Sequence, residues 1–122
     1  DWETRIRAEC ARHGRALRVV HSLEEALPGA HIVYAKSWGA RSLYGQPGAE
    51  TERRRQLRGW MIDEARLGLT PDARFMHCLP VRRNVVVADE VLDGPRSIVA
   101  LQASYRLHAQ QALLEMLLGG ES

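Results

Sequence analysis

Between Phe75 and Asn84 an apolar run stops at a proline and is followed at once by two arginines and an amide, Phe75-Met76-His77-Cys78-Leu79-Pro80-Val81-Arg82-Arg83-Asn84. A buried strand that ends in a working loop has this pattern, because ligands of open α/β sheets collect where the carboxyl ends of strands release polar groups. A second run, His31-Ile32-Val33-Tyr34-Ala35, opens in the same way into Lys36-Ser37-Trp38-Gly39. On one edge of a parallel sheet the two ends would present Lys36, Ser37, Arg82 and exposed backbone carbonyls together. Guanidinium forks take carboxylate or phosphate bidentately and an ammonium acts as a point charge, so the set suits a small anionic molecule. Solvated loop cations are the competing reading of the same residues. His77 and Cys78 are neighbours on a strand and point to opposite faces, which excludes a dyad between them. A structural histidine and a thiol lining the site follow. Arg106 stands one position before an apolar residue of the last helix, and spacing leaves open whether it faces solvent or the cleft.

The elements that must position these residues alternate. Trp2 to His13 reads as a helix closed by Gly14, and Ala16 to Val20 as a strand. Ser22-Leu23-Glu24-Glu25 fits a capping box opening a short helix that Pro28-Gly29 stops. The strand His31 to Ala35 leads into a long loop, Ala40 to Glu50, a length that marks lids or disorder. Thr51 to Trp60 reads as a helix, Asp63 to Leu69 as another, and Ala73 to Leu79 as the central strand. A helical turn at Asp89 to Asp93, a turn at Asp93-Gly94-Pro95 and a last strand, Ser97 to Leu101, follow. The terminal helix, Ala103 to about Leu118, carries Leu107, Leu114, Leu117 and Leu118 on one face and ends at Gly119-Gly120. The fold class is α/β, a Rossmann-like parallel sheet with helices on both faces and with strands buried on both sides rather than alternating.

Composition narrows the function. The chain has 122 residues, one domain at most, with 45% hydrophobic and 26% charged residues, as in an ordinary globular protein. A net charge of +2 is far from the basic balance of a nucleic-acid binder, and the Arg53, Arg54, Arg55, Arg58 cluster is interleaved with Glu50 and Glu52 as on a solvated helix face. Lys36 is the one lysine among 17 basic residues. Two cysteines, Cys10 and Cys78, lie in no metal-ligand or redox spacing, and His13, His21, His31 and His108 in none for zinc, so no metal site and a reducing, cytoplasmic setting are expected. No run suits a membrane span. Asp1 begins inside a helical pattern, which suggests a piece of something longer.

His77-Cys78-Leu79-Pro80 followed by Val81-Arg82-Arg83-Asn84 resembles the aspartate/ornithine transcarbamylase family, and within it the N-acetylornithine and N-succinylornithine carbamoyltransferases. Ala35-Lys36-Ser37-Trp38-Gly39 resembles that subgroup's substrate loop, where ordinary ornithine enzymes have an aspartate, and Arg106-Leu107-His108-Ala109-Gln110 resembles the start of the family's C-terminal helix. The resemblance covers essentially the whole chain. It implies carbamoyl transfer from carbamoyl phosphate to the δ-amine of an N-acylornithine in arginine biosynthesis, without a metal or organic cofactor, by a homotrimer. It also implies roles. Arg106 would reach carbamoyl phosphate and polarise its carbonyl, and Cys78 and Leu79 would hold the carbamoyl amino group and the attacking amine through strand-end backbone. The Leu79-Pro80 bond would be cis, aiming the Leu79 carbonyl into the site. Lys36, with Leu79 and Arg82, would bind the acylated substrate.

The family's phosphate-binding loop, Ser-Thr-Arg-Thr, has no counterpart here. Residues 1–122 are therefore expected to form part of the amino-acid-substrate domain, with the carbamoyl-phosphate domain absent and no turnover by the chain alone. Val86 stands where acetylornithine enzymes can carry a carboxylated lysine, and Tyr105 stands where the family has asparagine. Transfer to N-acetylornithine is the first reading, to N-succinylornithine or ornithine the next. A non-catalytic α/β module that binds a small anion or a subunit is the alternative from another class.

Overall fold

The computed structural model describes residues 1–119. Its elements are α1 (Trp2–Arg12), α2 (Leu23–Ala26), β1 (Ile32–Ala35), a 3-10 turn (Arg41–Leu43), α3 (Pro47–Gln56), a second 3-10 turn (Arg58–Trp60), α4 (Glu64–Leu67), β2 (Arg74–His77), α5 (Asp89–Leu92) and α6 (Val99–Leu118). Local chemistry explains most of the boundaries. Asp1 caps α1 through Glu3 N–H, and Gly14 follows at φ +63, a left-handed conformation that glycine adopts freely. Ser22 Oγ caps α2 through Glu25 N–H, whereas the reciprocal carboxylate bond of a capping box is replaced by Ser22 Oγ donating to Glu24. Asp63 caps α4, accepting from Arg66 N–H at 2.8 Å.

β1 and β2 pair in parallel, Val33 opposite Phe75 and Ala35 opposite His77. Parallel pairing needs a crossover, and α3 and α4 supply it. Under the sheet lies one core in which Phe75, Leu67, Val87 and Val91 are almost fully buried, together with Leu27, Val33, Ile62, Ala73, Leu92 and Val99. Burying a ring such as that of Phe75 is worth about 1.5–3 kcal/mol.

Several sequence expectations are corrected. Ala16 to Val20 forms no strand: the described residues offer its backbone no pairing strand, and Arg7 takes up the Leu17 carbonyl instead. Ala40 to Glu50 is not a continuous loop, because Pro47, suited to the first helical position, starts α3 inside it. The strands alternate in burial. Val33, Phe75 and His77 face the core while Ile32, Tyr34 and Arg74 are exposed, since this core lies on one side of the sheet. Ser97 to Leu101 is not a strand. Only Ser97 bridges to Phe75, and the chain turns helical at Val99, four residues before the expected start of the last helix at Ala103. Of that helix only Val99 is buried, and its leucine face is open. The proposed stop at Gly119-Gly120 lies partly outside the described residues.

Candidate functional site

β1 and β2 end side by side, so Lys36-Ser37 and Cys78-Leu79-Pro80 meet at one edge of the sheet. Leu79 has φ +52 and its bond to Pro80 is cis. Around the Cys78-Leu79 ridge lie two clefts. One, of about 390 Å³, is lined by Tyr34, His77, Cys78, Leu79, Gln102, Ala103 and Arg106. The other, of about 240 Å³, is lined by Lys36, Ser37, Cys78, Leu79, Pro80, Val81 and Arg82. Each of the residues singled out from sequence thus lies here: Arg106 on one side, Lys36 and Arg82 on the other, Cys78 and Leu79 between them.

The geometry resolves two ambiguities. Arg106 faces the cleft, although it is exposed to solvent. Arg82 and Arg83 diverge. Arg83 is held by Asp89 at 2.7 Å and by both oxygens of Asp93 at 2.7 and 2.8 Å, while Arg82 lines the cleft and makes no ion pair among the described residues. Hydrogen bonds from Arg83 lower the pKa of both carboxyls and raise that of the guanidinium. Asn84, at φ +55, donates from its side chain to Asp89 and accepts Asp89 N–H, closing the loop behind Arg82.

His77 is almost fully buried. Its Nδ1 accepts the Leu79 N–H at 2.9 Å, which places the ring proton on Nε2, 3.5 Å from Ser37 Oγ. Burial, and secondarily the charge of Lys36, lowers its pKa below the usual imidazole value. Ser37 Oγ in turn reaches the Pro80 carbonyl at 3.5 Å, tying the two strand ends together. Cys78 turns the other way, and Lys36 Nζ donates to its Sγ at 3.7 Å. The imidazole supports the backbone and the thiol lines the cleft.

One residue that sequence reasoning missed, Gln102, completes the frame. Gln102 accepts the His77 N–H on its Oε1 at 3.1 Å and donates from Nε2 to the Tyr34 hydroxyl at 2.9 Å. The available signal was helical spacing: Gln102 lies one turn before Arg106, on the same face of α6. Val86, where the resemblance implies that relatives can carry a modified lysine, is buried, and its carbonyl accepts the Ile62 N–H at 3.0 Å. Among the described residues no cluster of three His, Cys, Asp or Glu side chains could hold a metal, and no helix is long and apolar enough to cross a membrane.

An arrangement of this kind can hold two anionic groups on opposite sides of a ridge of backbone acceptors, bringing their reactive ends together over Leu79. Known proteins match the chain in sequence and fold. The family model "Aspartate/ornithine carbamoyltransferase, Asp/Orn binding domain" matches residues 1–117. N-acetylornithine carbamoyltransferase of Xylella fastidiosa is 42% identical over 117 residues, which is 96% of this chain and 34% of the relative. A solved variant of N-acetyl-L-ornithine transcarbamylase, complexed with carbamyl phosphate and N-succinyl-L-norvaline, superposes with a TM-score of 0.78 at 42% identity, over 88% of this chain and 32% of its own. Ornithine carbamoyltransferase from Pyrococcus furiosus superposes with a TM-score of 0.81 at 35% identity, over 92% of this chain and 35% of its own. The chain spans about a third of the length of such relatives. With the strand-end motif, the parallel fold and these matches in agreement, the chain belongs to the aspartate/ornithine carbamoyltransferase family.

Proposed function

We propose that a protein carrying this chain transfers the carbamoyl group of carbamoyl phosphate to the δ-amine of an N-acylated ornithine, N-acetylornithine first, in arginine biosynthesis. The observation that carries this reading is the Cys78-Leu79 ridge with Arg106 on one side and Lys36 and Arg82 on the other. The δ-amine attacks the carbonyl carbon, its electron pair forming the new C–N bond. Charge develops on the carbonyl oxygen, where Arg106 donates hydrogen bonds. The C–O bond to phosphate then breaks, phosphate leaves with the electron pair of that bond, and the proton given up by the nitrogen passes to the departing phosphate. Leu79 backbone carbonyl accepts from the attacking amine and Cys78 backbone from the carbamoyl amino group. Catalysis is then alignment plus stabilisation of charge on oxygen.

Acylation removes the positive charge of the α-amine and leaves a carboxylate, which suits Lys36 and Arg82 at the amino-acid end. Most of the phosphate is held by a further domain of the whole protein, and residues 1–122 are part of its amino-acid-substrate domain. The active assembly is a cytoplasmic homotrimer that uses no metal or organic cofactor. The test is Lys36→Ala in the whole protein, with N-acetylornithine, N-succinylornithine and ornithine as acceptors. A rise of at least tenfold in KM for the acylated acceptor is expected, the effect of losing a charge-assisted hydrogen bond, about 1.5–3 kcal/mol. Unchanged carbamoylation of N-acetylornithine, or activity on ornithine alone, would overturn the assignment.

A further inference from the structure

We infer that Gln102 is a positioning residue that keys α6 to the sheet and thereby sets Arg106 over the Cys78-Leu79 ridge. This rests on the role proposed above for Arg106. The starting point is the edge of β2 that faces away from β1. Along a strand, alternate N–H groups point to the same side. Phe75 N–H donates on this edge to the Arg96 carbonyl at 2.9 Å, and the Phe75 carbonyl accepts Ile98 N–H at 2.9 Å. The next N–H on the same edge is that of His77. By then the chain has left the sheet to begin α6, and no backbone carbonyl faces it. Gln102 Oε1 fills the place at 3.1 Å.

Accepting a backbone N–H fixes which end of the amide is oxygen. Nε2 is left to donate, and it does so to the Tyr34 hydroxyl on β1 at 2.9 Å. One side chain therefore ties α6 to both strands at the level of the site.

Within this chain the tie is one of few that α6 makes. Val99 is the one buried residue of the helix, Gln102 and Ala103 are half-buried, and everything from Ser104 to Leu118 is exposed. Gln102 is thus the last anchor before Arg106, which lies four residues further along the same face, a rise of about 6 Å. Without it nothing in this chain fixes the first turns of α6 against both strands, and the Arg106 guanidinium is expected to shift from the ridge. Lys36 and Arg82, on loops at the other cleft, are not touched by this motion.

Gln102→Leu keeps the size of the side chain and removes both hydrogen bonds. Gln102→Glu keeps an acceptor for His77 N–H and another for the Tyr34 hydroxyl, which then donates. In the whole carbamoyl-transferring protein, Gln102→Leu is expected to lower kcat and raise KM for carbamoyl phosphate by about tenfold or more, as a misplaced catalytic group does. KM for the acylated acceptor should stay within about twofold, and Gln102→Glu should recover most of the loss. Wild-type kinetics in Gln102→Leu, an equal rise in both KM values, or failure of Gln102→Glu to recover activity would overturn the inference. Crystal structures of the wild type and Gln102→Leu give a readout independent of turnover: a guanidinium of Arg106 displaced from the ridge supports the role, and an unmoved one ends it. If the wild-type protein transfers no carbamoyl group, the proposed reaction fails, while the displacement still decides the positioning.

Discussion

Adjacent arginines divide the labour at the loop after Pro80. Arg83 spends its guanidinium on Asp89 and Asp93, and Arg82 keeps its own for the cleft. Arg82→Ala is therefore expected to raise KM for the acylated acceptor about tenfold, on the order of one lost charge-assisted hydrogen bond, with kcat nearly unchanged. Arg83→Ala should instead lower the melting temperature and leave the loop more open to proteolysis. Equal kinetic effects of the two substitutions would contradict the division. For His77 the argument is one of proton linkage. Its folded pKa lies below the ordinary 6.5 because the buried ring resists charging, with Lys36 adding to the effect. Within that window the unfolded chain binds a proton that the folded chain does not, so the contribution to stability is full above the ordinary value and is lost as pH falls through the folded one. Denaturant midpoints at pH 7 and pH 5 should show this loss, and His77→Gln should flatten the slope. A slope identical in the two proteins would remove His77 from the account.

At the level of elements, one strand and one turn bear most of the load. Phe75 is fully buried at the centre of β2, so Phe75→Ala should destabilise by about 3–5 kcal/mol in chemical denaturation. Gly94 closes α5 so tightly that a Cβ there would sit 2.4 Å from the Glu90 carbonyl oxygen. Gly94→Ala must shift the backbone between α5 and the Ser97 bridge, a loss of roughly 1–3 kcal/mol of the kind overpacking produces. Unchanged denaturation midpoints would show that the turn relaxes freely. The same elements show what local pattern can convey. Caps and breakers such as Ser22, Asp63, Gly14 and Pro47 act within a few residues of the helix they bound; Ser22 and Gly14 are legible as such in the sequence, whereas Asp63 reads there only as the first residue of its helix. Pro47 reads as part of a loop in the sequence, because a proline at a first helical position and a proline in a turn look alike in one dimension. Ala16 to Val20 has strand-like composition, yet no strand among the described residues offers it hydrogen bonds, whereas Ser97 to Leu101 meets the edge of β2 at Phe75 and turns helical at Val99 after that single bridge.

Across the molecule, apolar surface is unevenly covered. Leu101, Leu107, Leu113, Leu114, Met116, Leu117 and Leu118 of α6 are exposed, as are Ile32 and Tyr34 on the open face of β1. Contiguous apolar surface of this kind drives association. The 122-residue chain on its own is expected to show an apparent mass that rises with concentration in light scattering; a single monomeric mass throughout would contradict this.

By itself the sequence determined the order of the chemistry-bearing segments, the parallel α/β class, and the residues that crowd the two strand ends: Lys36, Cys78, Leu79 and Arg82. These follow from apolar runs cut off by polar groups, a pattern written in consecutive residues, and from a motif distinctive enough to resemble one family. Tertiary structure alone decided that Arg106 faces the cleft, that Arg83 is tied back while Arg82 is free, and that Gln102 joins α6 to His77 and Tyr34. Arg83 is tied to carboxylates six and ten residues on, while Gln102 accepts a backbone N–H of one strand and donates to a side chain of the other, so its contacts and the Arg106 placement depend on how elements far apart in sequence are set against one another. Tyr34 and Gln102 are 68 residues apart, and no local period records which of many exposed amides will meet which strand edge.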